Sequence, residues 1–150
     1  CGGVLNLQKN YPVKLRAHPA EAELRAHVID IARMYGLSDS EMENCPEPDF
    51  EIKGGETLHI GSYTFKVLFT PGHSPGHVSF YCEKEACLIA GDTLFAGSIG
   101  RTDIPGGNHR ELLSSIRREI FSLPDDTRVL SGHGPDSTVG TERRTNPFFQ

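Results

Sequence analysis

The sequence predicts an α/β protein, a sandwich in which helices cover the faces of a sheet. Amphipathic stretches at helical spacing and a run of short alternating strands carry that expectation. Their order supports it: helix, strand, helix, several antiparallel-looking strands, helix, strand. The 150 residues bound the answer to one domain, 1–150, long enough to bury a core.

Each element has a local reason. Residues 4–7 come after Gly2 and Gly3 and make one or two helical turns that stop before Pro12. Residues 13–17 read as a short strand with Val13 and Leu15 on one face. Pro19 starts a helix in which Leu24, Val28, Ile31 and Ala32 recur at helical spacing, with His27 inside it. Glu21 and Glu23 occupy its first turn and Gly36 closes it. Residues 37–55 are a polar connection.

Leu58 and Ile60 then alternate with polar residues around His59, Gly61 and Ser62 make a turn, and residues 63–69 complete a hairpin. A third strand covers 77–82. A fourth, 87–90, is a short apolar run of the kind buried on both faces. Residues 91–107 form a long glycine-bearing loop, a type that is often functional. A helix covers 108–122, with Leu112, Leu113, Ile116, Ile120 and Phe121 on one face. Asn108 is its N-cap, with Glu111 three residues on. Residues 127–130 are a last strand, 131–135 a loop, and the remainder a tail.

Composition excludes several functions. Lys and Arg number 15 against 20 Asp and Glu, a net charge of −5 with no basic stripe, so no nucleic-acid partner is expected. No apolar run is long enough to span a bilayer and no signal peptide is visible, so a cytoplasmic protein with no membrane partner is expected. Cys1, Cys45, Cys82 and Cys87 form no Cys-x-x-Cys pair. They read as buried or half-buried thiols, although Cys82 and Cys87 flank a hairpin turn and are placed to be cross-strand neighbours.

The chemistry gathers at three strand ends. Phe69 precedes Thr-Pro-Gly-His-Ser-Pro-Gly-His, with His73 and His77; Ala90 precedes Gly-Asp-Thr, with Asp92; Leu130 precedes Ser-Gly-His-Gly-Pro, with His133. Each puts an imidazole or carboxylate just past a strand beside a glycine, where the backbone approaches closely. Imidazole with carboxylate suits zinc, iron or manganese. His18, His27, His59 and His109 lack that context; His27, inside a helix, and His59, within a strand, read as structural or solvent-facing.

These residues carry a resemblance. The run ending in His77, the Gly91-Asp92-Thr93-Leu94-Phe95 segment and Gly132-His133-Gly134 look like the third, fourth and fifth motifs of the metallo-β-lactamase superfamily. Asp92 comes 19 residues after His73 and 41 before His133, separations typical of that fold. The loop 96–103 and the ending 143–148 are similar to the short, glyoxalase II-like branch. The resemblance implies an αββα sandwich with metals at one edge of two sheets. It implies His73 as a ligand of one metal, His133 as a ligand of a second, and Asp92 as the catalytic, bridging carboxylate. His77 matches a position that supports the loop without touching metal. Ser98, Arg101 and Thr102 are the candidates for holding an anionic part of the substrate, because a guanidinium grips carboxylates well; for Arg101 a surface ion pair is the alternative.

The family's first motif, His-x-His-x-Asp-His, is absent from the 150 residues, and Cys1-Gly2-Gly3 looks like the residues immediately after that motif. The expectation is a chain lacking the N-terminal strands and half of the ligands, because it was processed or is a fragment, and impaired or inactive alone. The intact protein is expected to hold two zinc ions, with iron or manganese as alternatives, and to hydrolyse a small-molecule thioester like S-lactoylglutathione. Two other readings stand beside it: an iron-dependent persulfide dioxygenase, which shares the Gly-Arg-Thr-Asp loop at 100–103, and a non-catalytic fragment. A β-lactamase is not expected, since nothing suggests secretion and that loop does not suit one.

Overall fold

The structure is a computed structural model and describes residues 3–36, 38 and 43–150. Cys1, Gly2 and part of the 37–55 connection lie outside the described residues. The chain forms two compact units, Cys1–Ile52 and Lys53–Gln150. Among the described residues no helix is long and apolar enough to cross a membrane.

The first unit contains α1 (Val4–Asn10), β1 (Arg16–Ala17), a 3-10 turn Pro19–Glu21, α2 (Ala22–Ala26), α3 (Val28–Met34) and β2 (Phe50–Glu51). β1 and β2 pair in parallel, Arg16 opposite Phe50. The strand expected at 13–17 shrinks to two residues for a visible reason. The Asp49 carboxylate takes the Leu15 N–H at 2.9 Å and the Lys14 ammonium at 2.8 Å, so a side chain replaces a ladder partner. The helix expected to run through His27 breaks there, at φ −118° and ψ 26°. His27 Nδ1 lies 2.9 Å from the Glu23 carbonyl, the group a continuous helix would reserve for a backbone N–H. Gly36 ends α3 in the left-handed region, at φ +67°.

The second unit is built on a sheet of β3 (Thr57–Ile60), β4 (Tyr63–Phe69), β5 (Val78–Cys82), β6 (Cys87–Gly91), β9 (Arg128–Ser131) and β10 (Ser137–Thr138). Its order is β10-β9-β6-β5-β4-β3, and every pair is antiparallel except β6 with β9. A small hairpin, β7 (Leu94–Phe95) with β8 (Ser98–Ile99), occupies part of the segment expected as loop. The helix α4 (His109–Ser115) continues as a π-helical turn, Ile116–Ile120. Asn108 caps it as expected, its side chain accepting the Glu111 N–H at 3.1 Å. The expected tail contains α5 (Val139–Thr145) and a 3-10 turn, Pro147–Phe149.

Alternation divides the sheet into two faces. Leu68, Tyr81, Leu88, Ala90 and Val129 point to one face, where Leu112, Ile116 and Ile120 meet them. Those three helix residues are fully buried at i, i+4, i+8, and burying each contributes about 1.5–3 kcal/mol. The opposite face carries Leu58, Ile60, Phe65, Phe80 and Ile89, which line an apolar hollow of about 340 Å³. β6 is therefore not buried on both faces: Ile89 is 43% exposed, because the helices that pack on β6 lie against Leu88 and Ala90. Cys82 and Cys87 do face each other across β5 and β6, and with Cys45 they are buried free thiols.

Candidate metal centre

Because β5 runs antiparallel to both β4 and β6, and β6 parallel to β9, the C-terminal ends of β4, β6 and β9 share one edge of the sheet. His73, Asp92 and His133 lie just past those ends. The Nε2 atoms of His73 and His133 approach the same carboxylate oxygen, Asp92 Oδ2, at 3.7 and 3.5 Å. Exposure rises across the group: the His73 side chain is 18% exposed, Asp92 31% and His133 77%.

Hydrogen bonding fixes which nitrogen of His73 is free. Its Nδ1 lies 2.9 Å from the Arg101 carbonyl, which only accepts, so Nδ1 carries the proton. The Nε2 lone pair then faces Asp92, the arrangement a metal-ligating histidine takes when its other nitrogen is held by a carbonyl. The His133 ring lies against Phe95, centroids 6.1 Å apart.

Two glycines make room for this. A Cβ at Gly132 would collide with Asp92 Oδ1. Gly91 sits at φ +56°, and a Cβ there would come within 2.8 Å of His77 Nε2.

His77 takes a different part. Its Nε2 accepts the Asp92 N–H at 3.3 Å, so its proton is on Nδ1, which lies 2.9 Å from the hydroxyls of both Thr70 and Thr93. Thr70 passes the chain to Ser79, and Ser79 donates to the Ala90 carbonyl at 3.3 Å. Every link has a donor and an acceptor only when His77 is neutral. Burial first, and then the neighbouring His73, lowers its pKa to about 4, with Asp92 opposing. His77 thus holds the backbone of Asp92 with a neutral ring.

The three side chains floor a pocket of about 480 Å³. The β7–β8 hairpin forms one wall through Phe95, Ala96, Ser98 and Ile99, Gly134 and Pro135 form another, and Arg101 stands at the rim. Thr102 is not among the described residues lining it. Arg101 makes a bidentate ion pair with Asp103, at 2.7 and 2.8 Å. The hydrogen bond from Arg101 holds the Asp103 carboxyl down at about 2. A larger hollow of about 680 Å³ carries Lys66, Lys84 and Glu83 but no imidazole, and lies at the opposite end of β5 and β6.

The donor set fits a divalent metal in kind: two imidazole nitrogens converging on one carboxylate oxygen. It fits as part of a site. Among the described residues no group of three His, Cys, Asp or Glu side chains is close enough to hold a metal ion, and catalytic zinc takes about three protein ligands. Glu142 and Asn146, which contact the pocket wall, carried no sequence signal as site residues. The N-cap at Thr138, whose side chain accepts the Thr141 N–H at 3.2 Å, is the mark that would have placed them four apart on a helix.

Comparison with known proteins shows the family. The model of the metallo-beta-lactamase superfamily matches residues 1–133, and the chain belongs to that family. It is 45% identical over 149 residues to hydroxyacylglutathione hydrolase GloC of Haemophilus influenzae, covering 99% of this chain and 69% of that protein. It is 52% identical over 101 residues to the probable metallo-hydrolase YqgX of Bacillus subtilis, 67% of this chain and 48% of that protein. The chain thus spans about half the length of some curated relatives it matches. Among solved structures it is similar to BLEG-1 B3 metallo-beta-lactamase (TM-score 0.87, 40% identity, 99% of this chain, 70% of that one). It is equally similar to TTHA1623 in a di-iron-bound form (TM-score 0.87, 40% identity, 98% and 70%). It is also similar to ETHE1 from Myxococcus xanthus, at TM-score 0.63 and 33% identity, over 67% of this chain and 45% of that one.

Proposed function

We propose that the intact protein is a metal-dependent thioester hydrolase. The observation that carries this reading is the approach of His73 Nε2 and His133 Nε2 to one oxygen of Asp92 on a pocket floor. The likeness to GloC supports the substrate class. His73, Asp92 and His133 would hold two zinc ions, or iron or manganese in their place. When bound, such metals supply Lewis acidity and activate water at neutral pH.

The chain's own residues would do the rest. The Arg101 carbonyl orients His73, and His77 anchors Asp92 through its N–H. Phe95, Ile99 and Pro135 would offer an apolar wall to the acyl part of the substrate. Arg101 and Ser98 receive an anionic part of the substrate at the rim. A thiolate leaving group needs little protonation, since thiols have pKa about 8.5. The 150-residue chain alone, with its partial donor set, is proposed to bind metal weakly and to hydrolyse slowly.

The test is metal content and S-lactoylglutathione hydrolysis by this chain beside a form carrying a His-x-His-x-Asp-His segment upstream. About two metals and rapid hydrolysis in the second form alone support the reading; a metallated but inert second form overturns it. The persulfide dioxygenase reading rests on the Gly100–Arg101–Thr102–Asp103 loop and the likeness to ETHE1. Iron-dependent oxygen uptake with glutathione persulfide, and no thioester hydrolysis, would favour it.

A further inference from the structure

A buried carboxylate outside the donor set ties two walls of the pocket together. Glu142 on α5 is 1% exposed, and Asn146, which ends that helix, is fully buried. Glu142 Oε2 accepts the Gly97 N–H at 2.9 Å and an Asn146 amide hydrogen at 2.8 Å. Its other oxygen accepts the Ser137 hydroxyl in a short hydrogen bond. Asn146 Nδ2 also donates to the Ser98 carbonyl at 3.0 Å, and its Oδ1 accepts the Phe148 N–H at 3.1 Å.

Gly97 lies in the turn of the β7–β8 hairpin and Ser98 starts β8, and the hairpin's Phe95 and Ile99 line the pocket. Ser137 starts β10, just beyond the loop that brings His133, Gly134 and Pro135 to the other wall. Among the described residues no Lys or Arg forms an ion pair with Glu142. An unpaired carboxylate is costly to bury, and three donors placed around it offset that cost. An apolar side chain would fill the same space without the cost and without fixing either wall.

We propose that Glu142, with Asn146, is the positioning group of this pocket. It hangs the β7–β8 turn and the His133 loop on one helix and so sets the width between them. The consequence for substrate rests on the thioester hydrolase reading; the consequence for the hairpin does not.

The experiment compares Glu142→Ala, Glu142→Gln and Asn146→Ala in amide hydrogen exchange by NMR on the chain. It adds steady-state kinetics with S-lactoylglutathione on the metal-loaded form carrying the upstream motif. In Glu142→Ala the Gly97 amide should exchange about 10- to 100-fold faster, the factor for losing one hydrogen bond to a charged acceptor. Amides inside β4–β6, such as Leu88, should be unchanged. Gln should restore protection, its oxygen taking Gly97 and its amide donating to Ser137. KM should rise in Ala and recover in Gln.

Unchanged Gly97 exchange in a folded Glu142→Ala chain overturns the proposal. So does equal acceleration throughout the sheet, which marks a general packing role. If Glu142→Ala does not fold, Asn146→Ala must accelerate exchange across the hairpin, or the proposal fails. Faster hairpin exchange with no thioester hydrolysis in any form would leave the positioning role standing and remove the substrate reading instead.

Discussion

Gly132 and Asp92 are in such close approach that position 132 has no room for a Cβ: it would overlap Oδ1 of the carboxylate. Gly132→Ala should therefore push Asp92 away from the point on which His73 and His133 converge. A drop in metal affinity of about 10- to 100-fold is expected, the usual cost of disturbing a ligand's support. Zinc titration of the folded variant, with circular dichroism to check the fold, measures it. Unchanged affinity would show that Asp92 does not hold metal.

His77 should make stability depend on pH. Its folded pKa is lowered from 6.5 to about 4. Between those values the unfolded chain binds a proton that the folded chain does not. Stability should therefore fall as pH drops from 6.5 to 4, by about 3 kcal/mol in total from this group. Urea midpoints of the metal-free protein across that range, beside His77→Gln, test it; parallel curves would mean His77 is not held neutral.

The core makes a simpler demand. Ile116 is fully buried between the sheet and the helix layer. Ile116→Ala should cost about 2–5 kcal/mol in urea unfolding. A loss below about 1 kcal/mol would place that helix face elsewhere.

Arg101 should respond to its partner. Asp103 occupies the Nε–Nη2 edge of the guanidinium. If Arg101 grips substrate, Asp103→Ala releases it, and KM for S-lactoylglutathione should fall by about two- to fivefold, the scale of an exposed ion pair. Arg101→Ala should raise KM with kcat nearly unchanged, and Arg101→Lys should not restore it, lacking the planar fork. A KM indifferent to both changes would leave Arg101 as a surface ion pair.

The sequence made the β3–β4 hairpin, β5 and α4 readable, because their apolar positions repeat over several residues and Asn108 marks a helix start. It hid the elements too short to show a period: β2, β7, β8 and β10 have two residues each. It also hid α5, whose buried residues are Val139, Gly140 and Glu142, a set with no apolar stripe. His73, Asp92 and His133 were legible as candidates because each comes after a strand and beside a glycine. Glu142 was not, since a glutamate near a helix middle looks solvent-facing until three donors are found around it. The break at His27 was invisible for a related reason: a side chain competes there with the backbone for one carbonyl.

The order of the sheet sets how far each of the three converging side chains must travel. β9 is the neighbour of β6, whereas β4 stands two strands away with β5 between them. At about 4.8 Å per strand, His73 has roughly twice the lateral distance to cover that His133 has. The chain meets this with unequal tethers. Asp92 comes directly after β6, His133 two residues after β9, and His73 four residues after β4, along a segment stiffened by Pro71. Shortening that longest tether by a residue would strand His73 over β5 and leave Asp92 and His133 where they are. Of the three arms, the one after β4 therefore tolerates deletion least.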